Sequence, residues 1–71
     1  GTLDITSQPK GADIYVDREH RGVTPVELKG LNLNEPTRFE VRKRGYRSVT
    51  HKVLWHGHTY HKVSIALKRS R

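Results

Sequence analysis

Four of the five histidines lie between residues 51 and 61, and imidazole both binds divalent metals and changes charge near neutral pH. These histidines are His51, His56, His58 and His61. Their nitrogens could coordinate zinc, nickel or copper. However, the spacing matches no recognised metal site, and no acidic residue is nearby in the sequence. We therefore expect no metal and no other cofactor, and we favour a surface that gains charge on acidification.

Arginine and lysine side chains form the strongest candidate for recognition, around the stretch RFEVRKR at residues 38–44. Strand alternation turns Phe39 and Val41 inward and leaves the charged side chains outside. Guanidinium groups bind phosphate or carboxylate in bidentate fashion. The alternative is a solvated strand face whose charges prevent edge pairing. The predicted binding residues are Arg38, Arg42, Arg44, Arg47 and Lys52.

The charge is unevenly distributed along the chain, whose formal net charge is +7. Residues 1–35 contain four basic and six acidic residues, whereas residues 36–71 contain ten basic residues and only Glu40 as an acid. Such asymmetry favours contact with an anionic protein, glycan, membrane surface or nucleic acid. No aromatic platform or known nucleic-acid signature accompanies the charges, so nucleic acid is the weaker alternative.

Catalysis is not indicated by the sequence. Serine, histidine and aspartate are present, but there is no nucleophile elbow and no cysteine. No glycine-rich loop opens a helix to hold a phosphate, and 71 residues leave little room for a large pocket. We therefore predict a domain that is not an enzyme.

The elements that position these residues are predicted from apolar alternation with a period of two, which indicates six short strands. Proline and glycine fall between them at regular intervals. Pro9 and Gly11 are expected to return the chain antiparallel from the first strand to the second, and Gly22 to close the next turn. Pro25 fits an edge strand or the start of one. The predicted turn residues are Pro9, Gly11, Gly22, Pro25, Gly45, Tyr46 and Gly57.

The last two predicted strands form a hairpin, and side-chain parity constrains its loop. An odd loop of residues 56–58 places Val53, Trp55 and Val63 together on the core side. The same register places His51 and His61 on that side, partly buried. Tyr15 and Tyr60 are expected to point outward, and residues 29–36 to form a loop that covers one end of the sheet.

Several of these residues together resemble the PEGA domain family. The similarity runs through Ser7-x-Pro9-x-Gly11-Ala12-x-Ile14, then Gly22-x-Thr24-Pro25, Lys43-x-Gly45-Tyr46 and the final apolar alternation. It implies a small antiparallel β-sandwich of prealbumin-like type, a non-catalytic accessory module of bacterial envelope or signalling proteins, and an extracytoplasmic location at the periplasm or cell surface. One departure is Arg18, where the family usually has the glycine of an Asp-Gly turn. Because arginine disfavours the left-handed conformation, either the turn type differs or Arg18 is strained.

The resulting hypothesis is an all-β interaction module that binds a protein or an anionic envelope polymer through its surface. The alternatives are a small nucleic-acid-binding β domain and a structural spacer with no partner. Residues 1–71 are expected to form one monomeric domain excised from a larger protein, with a basic tail at residues 68–71. No membrane insertion by this segment is expected, because no apolar run reaches about 20 residues.

Overall fold

A computed structural model describes residues 1–70, which form seven β-strands and no helix, so the all-β prediction is confirmed. No helix in this part of the chain is long and apolar enough to span a membrane. The strands are β1 (Thr2–Gln8), β2 (Asp13–Val16), β3 (Glu19–Val23), β4 (Val26–Leu28), β5 (Thr37–Arg42), β6 (Val49–Val53) and β7 (Tyr60–Ala66).

The strands form two sheets that pack as a small sandwich. One sheet has three strands in the order β4-β1-β7, and the other has four in the order β3-β2-β5-β6. All neighbouring strands are antiparallel except β1 and β7, which are parallel, so the prediction of a wholly antiparallel sandwich is wrong at this pair. Parallel neighbours need a long connection, and these two strands lie at opposite ends of the chain.

The core consists of the inward-facing members of the alternating pattern. Along β1 and β5 buried residues alternate with more exposed ones, as the period of two predicts. Burying each large aliphatic or aromatic side chain contributes about 1.5–3 kcal/mol. The largest fully buried side chains are Phe39, Leu3, Ile5, Ile14 and Val41.

Strand β3 is not indicated by the sequence pattern. It accounts for the difference between the six predicted strands and the seven found in residues 1–70. Its residues EHRGV are mostly exposed and carry no apolar alternation. The β2–β3 turn is at Asp17 and Arg18, both with positive φ (52° and 67°), as a type I′ turn requires. Gly22 therefore does not close this turn: it pairs with Ile14 inside β3, beside a register shift. A Cβ at Gly22 would come within 2.9 Å of Val26 Cγ2, so glycine permits this close approach to β4.

Two connections that were predicted to form hairpins instead cross from one sheet to the other. The segment containing Pro9 and Gly11 (φ 85°) leads from β1 in one sheet to β2 in the other. The loop after Trp55 likewise joins β6 and β7, which lie in different sheets and do not pair. The predicted faces are nevertheless correct: Val53 and Trp55 are buried, and Val63 packs against the core. Parity assigns a side chain to the interior, which both sheets share, and does not identify the neighbouring strand.

Thr24 fixes the first crossing between the sheets. Its backbone N–H donates to Ala12 O (2.8 Å), and its carbonyl accepts from Gly11 N (3.1 Å). The Ala12 N–H also donates to Thr24 Oγ1 at 2.9 Å. The hydroxyls of Ser7 and Thr24 are 2.6 Å apart, and Ser7 Oγ donates to Pro9 O at 2.7 Å. Ser7 has a single hydroxyl proton, so Thr24 is the donor in the buried pair. Pro25 then precedes β4, an edge strand, as predicted.

Replacing Thr24 with valine is expected to destabilise the fold by about 1–3 kcal/mol, because a buried N–H and a buried hydroxyl lose a partner while side-chain volume is conserved. Urea denaturation followed by tryptophan fluorescence measures the change. Thr50→Val is the matched control, since Thr50 is exposed on β6, and its effect should stay within about 0.5 kcal/mol. Equal stability of the two variants would contradict a stabilising role for the Thr24 contacts.

Arg18→Gly is expected to stabilise the fold by about 0.5–1 kcal/mol, because glycine removes the steric cost of a positive φ and only part of that gain is lost to a more flexible unfolded chain. Arg18→Ala removes the same charge but keeps a Cβ, so it should bring no gain. The midpoints of chemical denaturation compare the two variants. A gain of similar size from alanine would show that charge, and not backbone strain, is responsible.

Candidate functional site

The predicted basic residues lie on two surfaces. The first, which we call the sheet face, is the outer side of the four-stranded sheet. Arg38 and Lys52 are direct neighbours across β5 and β6, and both are exposed. Arg42 lies on the same face of β5, two residues beyond Glu40. The prediction that Lys52 lies close to the β5 arginines is confirmed for Arg38.

The sheet face is mixed in charge, which weakens it as an anion site. Arg42 Nε is 2.9 Å from Glu40 Oε1, and the Arg42 guanidinium lies 5.0 Å from the centre of the Tyr15 ring. On the next strands His20 Nε2 is 3.0 Å from Asp13 Oδ1, and His20 packs edge-on against Tyr15. The sequence pattern missed this role of His20, because nothing in it indicates β3. Arg38 and Lys52 therefore carry most of the available positive charge on this face.

The second surface, which we call the basic end, brings together cations from two separate segments. Arg47 N donates to Lys68 O at 2.9 Å, and Ser70 N donates to Gly45 O at 3.0 Å. Tyr46 and Arg69 form an isolated antiparallel bridge between these bonds. The segment 68–70 is thus paired and not frayed, while Arg71 lies outside the described residues. The basic end comprises Lys43, Arg44, Arg47, Lys68 and Arg69.

The chain places the basic end at a sharp turn. Gly45 has φ 84°, and the Tyr46 N–H donates to Lys43 O at 2.9 Å, so the chain reverses within these residues. Four of the five cations are exposed, and Lys43 is partly buried. The sequence contains no acidic residue after Glu40. Within residues 1–70, none of the five forms an ion pair. Their positive potential is therefore unneutralised by neighbouring side chains.

The predicted binding residues therefore lie on two different surfaces. Arg44 and Arg47 belong to the basic end, whereas Arg38, Arg42 and Lys52 belong to the sheet face. Lys68 and Arg69 join the basic end only through tertiary pairing of the last segment with the loop after β5. No local pattern in the sequence indicates that pairing.

The histidines are distributed over different environments. The ring of His51 lies 5.4 Å from that of Phe39, and the ring of His61 lies 5.2 Å from that of Trp55. His58 approaches His61 with ring centres 5.8 Å apart, while His56 is exposed with φ 49°. In the part of the chain that is described, no group of three histidine, cysteine, aspartate or glutamate residues is arranged to hold a metal.

The aromatic side chains occupy the predicted sides of the sheets. Trp55 is buried, and its Nε1 donates to Thr37 Oγ1 at 3.1 Å. Tyr15 and Tyr60 lie on outer faces, and Tyr60 is half-exposed. The Tyr60 hydroxyl donates to Asp4 Oδ2 at 3.2 Å. Partial desolvation, then the bond to Asp4 and the charges of Asp4 and Glu27, raise the pKa of Tyr60 above its ordinary value of about 10.

The pKa of Tyr60 is expected to fall in Asp4→Asn, although not fully to its ordinary value because desolvation remains. The raised folded-state pKa means that the phenol stabilises the fold below pH of about 10 and that this contribution is lost as pH rises through the folded pKa. NMR titration of the tyrosine ring signals measures the shift. Asp13→Asn serves as the control, because Asp13 lies in the other sheet; an equal shift there would contradict a specific Asp4 bond.

The seven strands in two sheets form a small β-sandwich. A model of the PEGA domain matches residues 1–71, the whole chain, and the protein therefore belongs to the PEGA domain family. Domains of this family are small accessory domains found generally in extracytoplasmic proteins, and the family is not known to be catalytic. No curated protein matched the sequence.

Proposed function

We propose that this PEGA domain is a non-catalytic interaction module that attaches an extracytoplasmic protein to an acidic protein or an anionic envelope polymer through the basic end. The observation that carries the proposal is the backbone pairing of residues 45–47 with residues 68–70, which joins two cationic segments whose five cations have no ion-pair partner among residues 1–70. Backbone bonds from Arg47 to Lys68 and from Ser70 to Gly45 hold the two segments together, so part of the ordering cost is met before a partner binds.

The sheet face supplies a secondary contact in this proposal. Arg38 and Lys52 extend the positive surface, whereas Glu40 and Asp13 would repel an anion that moved further across the sheet. An anionic chain would therefore contact the basic end first and the exposed Arg38–Lys52 pair second. Such contacts raise association rates and fall with added salt.

Nucleic acid is the alternative ligand, and a spacer without a partner is the alternative role. Phosphate contacts would also engage the five cations, but the described surface offers no row of exposed aromatic side chains for base stacking. Carboxylate-bearing partners need only the positive potential and the guanidinium groups. The charge pattern therefore favours an acidic protein or glycan.

Arg44→Glu combined with Arg47→Glu is expected to weaken binding of fluorescein-labelled poly-L-glutamate by about tenfold at low salt, because both substitutions invert charge within the basic end. Fluorescence anisotropy measures the dissociation constant. The control is Arg18→Glu with Lys29→Glu, which changes net charge equally on exposed residues elsewhere. That control should change the dissociation constant much less.

Equal loss in both double variants would indicate attraction by net charge alone and would contradict a specific basic end. Tighter binding of a single-stranded oligonucleotide than of poly-L-glutamate, with steep salt dependence, would support the nucleic-acid alternative. Absence of binding to both probes would leave the spacer role.

A further inference from the structure

The two sheets of the sandwich differ by one strand, and the difference leaves one side open. On one side β3 and β4, the edge strands of the two sheets, are in contact. On the other side the edges are β6 and β7, separated by a groove of about 460 Å³. His51 and Val63 are only partly buried there, although they face inward. We call this groove the open seam.

The backbone of β7 presents a free edge along the open seam. Thr59 O and Leu67 N bond to β1, so in the regular parallel ladder the odd-numbered residues of β7 direct their peptide groups to β1. The peptide groups of Lys62, Ser64 and Ala66 consequently point to the open side. The edge has seven residues, no proline and an unbroken register. These are the features that permit another strand to pair.

The side chains around the open seam specify what such a strand should carry. His51, Val53, His61 and Val63 line the groove, and Lys52 and Lys62 lie beside it. His61 Nε2 is buried and has no hydrogen-bond partner within residues 1–70. A strand seated here would place apolar or hydrogen-bonding side chains inward and acidic side chains outward, near Lys62.

We propose that the open seam binds an extended acidic strand of a partner protein, which pairs with β7 and becomes the fourth strand of the smaller sheet. The added strand covers the inward face of β6 and the partly buried Val63. Backbone bonds to Lys62, Ser64 and Ala66 supply affinity, and Lys62, on the outer face of β7, selects acidic side chains on the outer face of the added strand. A second copy of this chain is disfavoured as the occupant, because each copy carries a formal net charge of +7.

The test uses an acetylated ten-residue peptide that alternates glutamate and valine, added to the 15N-labelled domain. We expect amide hydrogen exchange at Lys62, Ser64 and Ala66 to slow by about tenfold or more, since new hydrogen bonds protect these groups. Two further peptides carry N-methyl groups on either the valine or the glutamate nitrogens, which blocks one edge at a time. One of the two should lose this protection.

Charge selection is tested with Lys62→Glu, which should weaken peptide binding several-fold, about threefold or more. Arg44→Glu is the matched control, which changes net charge equally but lies at the basic end and should change binding much less. Because the open seam and the basic end are tested by different variants, failure of one proposal is distinguishable from failure of the other.

Three results would overturn the proposal. The first is unchanged exchange at the three edge amides at saturating peptide. The second is protection that rises with protein concentration in the absence of peptide, which would assign the open seam to a second copy of the chain. The third is equal weakening by Lys62→Glu and Arg44→Glu, which would indicate unspecific attraction.

Discussion

The packing of alternate side chains between two thin sheets is the constraint on which the rest of the structure depends. The chain has few large apolar residues, and those that it has must face one shared interior. Leu3 and Ile5 from one sheet meet Ile14, Phe39 and Val41 from the other, and all five are almost completely buried. Every polar residue between them on the same strands is therefore directed to an outer face. The positions of Arg38 and Arg42 follow from the burial of Phe39 and Val41.

The sequence predicts the side chain's direction well and the strand's neighbour poorly. Direction follows from the local period of two, and Trp55 and Val63 face the core as that period requires. The identity of the neighbouring strand depends on the pairing of β1 with β7, which are distant in the sequence. This pairing makes β6 and β7 edge strands of different sheets. Strand β3 gives no apolar signal because it is an exposed edge. Its existence depends on pairing with β2 and on a turn at Arg18 whose residue type argues against it.

The candidate site was predictable to a similar extent. The excess of arginine and lysine after residue 36 is evident from the sequence, and so is the outward direction of Arg38 and Arg42. On the sheet face the charge of Arg42 is neutralised by Glu40, whereas the cations of the basic end have no ion-pair partner within residues 1–70. The contribution of Lys68 and Arg69 was not predictable, because it depends on backbone pairing between the last residues and the turn at Gly45. Local patterns give the sign of a surface, and tertiary contacts decide where the charge is concentrated.

The charge of Lys62 at the open seam has two physical consequences. An edge strand with unpaired peptide groups is prone to pair with a copy of itself, and charged side chains on the edge oppose that pairing. Lys62 lies on the outer face of the β7 edge, so a second positively charged chain that paired there would meet it. The same charge would stabilise a strand whose outer side chains are acidic. A positive charge at this edge raises the electrostatic free energy of pairing with a second positive chain and lowers that of pairing with an acidic strand. Protection against self-association and selectivity for an acidic strand therefore have the same physical cause.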